Sequence, residues 1–232
     1  MVERMFNTDN SFWQAVGKAG DLIALTFLTV LCSLPLITAG ASFCAMNYVC
    51  FKMLEHDNGG TIKNFFHSFR QNLFQGAAIS LIMGAGAFLL WYDGWFLTKY
   101  FSAENGGALL YAGWAIYIYL IFFYLILVLY VFPLQARFYN SLAVTFKNAV
   151  IAGFKHLPKT LMMLAGDGCM VILIILCFKN FPQIAFLPLL TALPLCIWYH
   201  AWVLRDLLGL TPGKLDLPVS DDQAERKEGR HE

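Results

Sequence analysis

Six apolar runs separated by short polar stretches dominate the hydrophobic pattern of this chain. A helix of about 20 residues crosses the hydrocarbon core of a bilayer, and most of the runs approach that length. Helices satisfy their own backbone hydrogen bonds, which lipid cannot do, so each run is predicted to be helical. The pattern predicts an all-α, polytopic membrane helical bundle, a single domain within residues 1–210. The predicted spans are 17–34, 37–53, 76–97, 108–132, 160–178 and 184–204.

A proline interrupts the chain between the first two runs. Pro35 has no backbone N–H and disfavours helical geometry at Leu34, so the chain is expected to turn there. Residues 40–42 (Gly-Ala-Ser) follow, and they are small enough to let two helices approach closely. We therefore predict a tight membrane hairpin. Because residues 37–53 are only just long enough to cross a bilayer, five spans are the alternative to the preferred six.

Two stretches between the runs have the period of an amphipathic helix. Residues 61–75 carry apolar side chains at i, i+3, i+4 and i+7, and residues 141–156 follow a similar pattern, with basic residues beside each apolar face. Such helices lie naturally in the inner membrane interface, and docking on a partner's cytosolic surface is a compatible interpretation. The candidate residues for docking on lipid or a partner are Lys63, Phe65, Phe66, Phe69, Arg70, Phe146, Lys147, Phe154 and Lys155.

The distribution of Lys and Arg predicts the orientation. With six spans, about fourteen of these residues lie on the side of the two amphipathic helices and two on the other side. With five spans the N-terminus changes sides and the division becomes about twelve against four. The positive-inside rule then places both amphipathic helices and the C-terminus in the cytoplasm, together with the N-terminus if there are six spans. The polar residues 211–232 are predicted to form a disordered cytoplasmic tail.

Composition supports a membrane protein and indicates no cofactor. Hydrophobic residues make up 59% of the chain and charged residues 13%, whereas soluble domains carry about 25% charged residues. The net charge of +1 gives no indication of a nucleic-acid partner. The six cysteines lack zinc-site or C-x-x-C spacing and are expected to be small hydrophobic side chains in helices. No hydrolase, metalloprotease or phosphate-loop motif is present, so we do not expect an enzyme.

Ionisable residues within the predicted spans are the candidates for chemistry, because burying a charge in lipid is costly. Asp167 lies about seven residues into the fifth span, which places it about 10 Å deep. His200 and Arg137 lie towards the same side of the membrane. One interpretation is a polar cluster that binds a solute or relays protons. The other is a structural pair of Asp167 with either His200 or Arg137.

Several motifs resemble those of YesL-family bacterial membrane proteins. They are residues 6–13 (FNTDNSFW), 31–42 (LCSLPLITAGAS), 65–72 (FFHSFRQN), 133–138 (PLQARF) and 156–160 (HLPKT), and the resemblance extends to about Asp206. The family has no established function or catalytic residues. The resemblance implies a small polytopic inner-membrane protein, often encoded beside oligosaccharide-uptake ABC transporters and sugar-responsive two-component systems. Asp167 is not part of the family pattern.

From this resemblance we expect a non-enzymatic accessory protein of an oligosaccharide ABC uptake system or of its sugar sensing. The expected partners are the lipid bilayer and either ABC permease subunits or a membrane sensor kinase. The alternative is a small autonomous transporter or channel for a carbohydrate-related solute. A transport path would need several polar residues facing one cavity, and few polar residues lie at membrane depth.

Overall fold

The computed structural model describes residues 11–55, 60–100, 103–138, 140–181, 183 and 186–210, which contain eight α-helices and no strand. The prediction of an all-α fold is confirmed. The predicted disordered tail at 211–232 and the first motif residues, 6–10, lie outside the described part. The helices are α1 (Ser11–Cys32), α2 (Ala39–Leu54), α3 (Thr61–Gln71), α4 (Leu73–Tyr100), α5 (Ala103–Arg137), α6 (Leu142–Lys155), α7 (Leu157–Asn180) and α8 (Phe186–Leu208).

Four helices in the described ranges are long and apolar enough to cross a membrane, judged by length and composition. They are Leu36–Leu54, Leu73–Lys99, Leu110–Arg137 and Leu157–Asn180, and Ala19–Cys32 is a shorter apolar helix. Such helices suit a lipid bilayer, as the sequence predicts. The number of six spans stays a prediction.

The first two helices are separated where the sequence predicts a break. α1 ends at Cys32, and a single 3-10 turn, Leu36–Thr38, leads into α2. The Thr38 hydroxyl donates to the carbonyl oxygens of Cys32 at 2.7 Å and Pro35 at 2.9 Å. These bonds satisfy carbonyl groups that the end of a helix leaves without an intrahelical partner. We call residues 33–38 the α1–α2 turn.

α2 is enclosed by the other helices. It contacts α1, α3, α4, α5 and α8, and its residues 40–51 are buried except for Phe43. Of the most apolar 18-residue window at α2, 61% is buried, against 17%, 22% and 6% for the windows of α4, α5 and α7. The run that resembles a short span in sequence is therefore an internal helix around which the others pack.

The buried residues of α4, α5 and α7 lie at one end of these helices. Where side-chain burial is described, α4 has no buried residue after Met83, α5 none before Ile126, and α7 none after Met163. We call this end, formed by the start of α4 and the end of α5, the core end. Beyond it, α4, α5 and α7 expose many large apolar side chains. Those surfaces suit contact with acyl chains, because a soluble monomer rarely exposes so large an apolar area.

Two glycines bring the start of α2 against the start of α4. A Cβ at Gly40 would overlap the carbonyl oxygen of Gly76, and a Cβ at Gly76 would lie 2.5 Å from the backbone nitrogen of Ala41. The Gly40 N–H also donates to the Ser80 hydroxyl. At the other end of α2, Glu55 meets Arg137, the last residue of α5. Both ends of α2 thus contact the core end, so α2 lies across the α4–α5 pair.

Candidate functional site

The predicted polar cluster divides into two separate sites. His200 Nε2 lies 2.9 Å from Asp167 Oδ1, which joins α8 to α7. The His200 side chain is 11% exposed and that of Asp167 is 34% exposed. Arg137 does not take part, because its guanidinium binds a different carboxylate. Asp167 and His200 are brought together, whereas the ion pair of Arg137 is made with Glu55.

The helix contact beside Asp167 explains one of its flanking glycines. A Cβ at Gly166 would overlap the Tyr199 ring, whose hydroxyl donates to the Met162 carbonyl at 3.0 Å. Gly166 therefore lets α7 and α8 approach each other and does not make room for a ligand. Cys196 lies one turn before His200 on α8. In the described part of the chain no three His, Cys, Asp or Glu side chains are placed to hold a metal ion.

Arg137 joins the ends of three helices. Its Nη1 lies 3.5 Å from Glu55 Oε1, at the end of α2. Its Nε donates to the Leu208 carbonyl at 3.1 Å and its Nη2 to the Gly209 carbonyl at 3.2 Å, both at the end of α8. The side chain of Arg137 is 9% exposed and that of Glu55 is 2% exposed, so the two form a buried ion pair. Sequence reasoning missed Glu55 because it follows an apolar run and reads as the first residue of a polar loop.

A buried amide network connects both amphipathic helices to α5. The Gln135 amide nitrogen donates to Asn72 Oδ1 at 3.3 Å and to Gln75 Oε1. Its carbonyl oxygen accepts from the Thr145 hydroxyl at 3.0 Å. Asn72 lies between α3 and α4, and Thr145 is on α6. In the sequence, only the position of Gln135 within an otherwise apolar run indicates a buried polar contact. The residues that it bonds to cannot be inferred from the sequence, because Asn72 and Gln75 lie about 60 positions away.

α3 packs with its phenylalanines divided between inside and outside. Phe65 is fully buried in a cluster with Leu25, Met46 and Val49, and Phe69 packs on the same cluster. The docking role predicted for Phe65 is therefore wrong, and Phe69 is only partly available. The physical reason is that the apolar stripe is wide, and its centre is used by the fold. α3 itself ends at Gln71, so the predicted final residues, 73–75, belong to α4.

The outward face of α3 combines apolar and basic side chains. Ile62 is 57% exposed and Phe66 is 38% exposed. Lys63 and Arg70 are exposed beside them, and Phe74 at the start of α4 is 88% exposed. α3 contains no acidic residue. This face matches part of the predicted docking set, with Ile62 and Phe74 as additions that the sequence did not single out.

α6, like α3, has one face packed inside the fold and one face exposed. Its inner face is made of small side chains, and a Cβ at Gly153 would overlap the Ile126 side chain of α5. Phe146 packs against the core, which corrects its predicted docking role. Lys147, Phe154 and Lys155 are exposed, and α6 also lacks acidic residues. We call the exposed residues Ile62, Lys63, Phe66 and Arg70 of α3 and Lys147, Ile151, Phe154 and Lys155 of α6 the basic–apolar faces.

An open groove of about 340 Å³ runs along the outer part of α7. It is lined by Cys169, Ile172, Leu173, Leu176, Cys177, Asn180 and Phe181. Its lining contains no ionisable acid–base pair and only one amide. The groove suits an apolar neighbour such as an acyl chain.

Comparison with known proteins gives one match. A family model described as "Protein of unknown function, DUF624" matches residues 22–94, which covers α2, α3, the second half of α1 and most of α4. No curated protein and no solved structure matches the chain. The match is consistent with the resemblance stated from the sequence, at the level of a family of unknown function. The narrower YesL name stays a prediction.

Proposed function

We propose that this protein is a non-enzymatic integral membrane accessory protein that docks on a membrane partner through its basic–apolar faces. The partner proposed from the family resemblance is an oligosaccharide ABC permease or a membrane sensor kinase. The observation that carries the proposal is that α3 and α6 each direct exposed basic and apolar residues away from the fold. Exposed contiguous apolar patches commonly mark interaction sites, and basic residues beside them favour an acidic partner surface or anionic lipid.

We further propose an arrangement in which α1, α4, α5, α7 and α8 cross the bilayer of a bacterial inner membrane. α2 is left out because both of its ends contact the core end. The Lys/Arg distribution then places the core end, α3, α6 and the C-terminus in the cytoplasm and the N-terminus outside. In this position the basic–apolar faces lie where the cytosolic parts of a permease or kinase are accessible.

The docking proposal is tested by the double variant Phe66→Ser/Phe154→Ser. Phe66 is 38% exposed and Phe154 is 40% exposed, so burial of the exposed part by a partner would contribute about 1 kcal/mol for each. The variant should therefore lose co-purifying permease or kinase subunits from native membranes. Its level in the membrane should match the parent, because neither side chain is in the core. Phe88→Ser, the same change at a position 62% exposed on α4, is the control and should keep the partner. Retention of the partner by the double variant would contradict docking through these faces.

A small autonomous transporter is the second candidate, and the Asp167–His200 pair is the observation that favours it. An acid and a base 2.9 Å apart within an apolar helix pair can bind and release a proton. Asp167→Asn removes the acid while keeping the shape of the side chain. If the pair is structural, uptake of the relevant oligosaccharide persists and thermal stability falls. If the protein is the transporter, uptake is lost while thermal stability is unchanged.

A further inference from the structure

The α1–α2 turn exposes apolar side chains where a turn in water would expose polar ones. Leu34 is 71% exposed, Leu36 is 84% exposed and Ile37 is 55% exposed. The adjacent surface of α1 continues the patch with Phe27, Val30 and Leu31, each more than half exposed. Turns at a water-facing surface favour Gly, Asn, Asp and Ser, so this exposure calls for an apolar environment.

Charge is missing from the whole hairpin around the turn. The 30 residues 22–51 contain no Asp, Glu, Lys, Arg or His, and the nearest charged residues are Asp21 and Lys52. Both of these are at the far ends of the hairpin from the turn. Loops that emerge on the cytoplasmic side of a membrane carry Lys and Arg in excess. The α1–α2 turn has no Lys or Arg.

Several backbone groups of the turn are hydrogen-bonded to α1 or within the turn. The Ser33 N–H donates to the Thr29 carbonyl at 2.9 Å, and the Thr38 N–H donates to the Pro35 carbonyl at 2.8 Å. The Thr38 hydroxyl also donates to the Cys32 carbonyl at 2.7 Å, and Pro35 has no N–H to satisfy. Irregular backbone in the apolar part of a bilayer requires such internal pairing, because no water is available there.

The α1–α2 turn lies beside the start of α4 and does not reach the end of the bundle opposite the core end. Gly40, two residues after the turn, is held against Gly76 and Ser80 near the start of α4. From Ser80, α4 continues to Tyr100, a distance of about 30 Å at the rise of an α-helix. The turn therefore lies near the core end, beside the lipid-facing surfaces and not beyond them.

From these four observations we propose that the α1–α2 turn, at the end of the membrane-crossing helix α1, is inserted into the acyl-chain region of the leaflet nearer the core end. Leu34, Leu36 and Ile37 of the turn then contact lipid hydrocarbon. α1 and α2 then meet inside the membrane, with no water-facing loop between them.

A fluorescent label at Leu36→Cys tests the proposal, in a variant whose six native cysteines are replaced. The labelled protein is reconstituted in vesicles of phosphatidylcholine with brominated acyl chains, which quench the label on contact. We expect quenching as strong as at Ile116→Cys on the lipid-facing surface of α5, and stronger than at Ser141→Cys before α6. Quenching as weak as at Ser141→Cys would overturn the proposal. So would oxidative formation of a Leu36→Cys dimer, which would assign the turn to a second copy of the chain.

A second measurement keeps the native cysteines and so does not depend on replacing them. Leu36→Lys is compared with Leu36→Ala for protein level in the membrane and for the thermal midpoint in nanodiscs. In hydrocarbon the lysine charge is costly, so the lysine variant should show lower values of both. In water the two variants should behave alike, because both remove the same apolar contact. Equal behaviour would contradict insertion of the turn.

Discussion

Arg137 shows how one side chain can fix the relative positions of several helices. Its guanidinium contacts a carboxylate at the end of α2 and two carbonyl oxygens at the end of α8, while its own backbone ends α5. The planar group offers several donors in fixed directions, a geometry that a lysine ammonium cannot reproduce. The pair with Glu55 is buried, so neither charge can be screened by water if the other is removed.

We predict that Arg137→Ala strongly destabilises the protein. Removing one partner of a buried ion pair costs about 3–5 kcal/mol, because the remaining carboxylate stays desolvated. The change should lower the thermal midpoint in detergent by far more than Arg205→Ala, whose side chain is 56% exposed and whose pair with Asp206 is worth under about 1 kcal/mol. Similar midpoints for the two variants would show that the Arg137 contacts contribute little.

Side-chain pairs could be predicted from the sequence where the two residues lie on consecutive helices, and could not be predicted where they lie far apart along the chain. Asp167 and His200 are on consecutive helices, and their pairing was one of the stated alternatives. Glu55 is 82 positions before Arg137, and nothing in either local pattern indicates the contact. Phe65 and Phe66 belong to the same apolar stripe, so only the packing against α1 and α2 decides which of them is buried.

α2 determines the arrangement of the other elements. Its small residues at 40–42 were expected to allow a close helix contact, and the contact is made with α4. The helices themselves were predictable, because their apolar periods and the proline break are local properties of the chain. The enclosed position of α2 was not, since an apolar run has the same composition whether lipid or protein surrounds it.

We predict that Gly76→Ala destabilises the protein by forcing α2 and α4 apart. The added methyl group would meet backbone atoms of Ala41, which cannot move without shifting the helix. Gly84→Ala on the same helix is the matched control, because a Cβ there meets nothing within 4 Å. That control should be neutral or stabilising by up to about 1 kcal/mol, from the higher helix propensity of alanine. The comparison is made by thermal denaturation in detergent, and equal stability of the two variants would contradict the close α2–α4 contact.

At the scale of the whole molecule, the protein is asymmetric along its helices. The buried side chains of α4, α5 and α7, the Arg137 ion pair and the Gln135 network lie at the core end, where both amphipathic helices also pack. The other end of α4, α5 and α7 exposes apolar side chains that suit lipid. This division explains why two basic helices are attached to one end only, and it motivates the proposal that the core end faces the cytoplasm.

Labelling of single cysteines in intact cells with a membrane-impermeant maleimide tests this arrangement most directly. The sites are the N-terminus, Asn105 in the first turn of α5, and Ser141 before α6. With five spans and a cytoplasmic core end, the first two should label in intact cells, and Ser141 should label only after the cells are opened. Labelling of Ser141 in intact cells would contradict the cytoplasmic core end, and an unlabelled N-terminus beside a labelled Asn105 would contradict the placement of α2 across the helices.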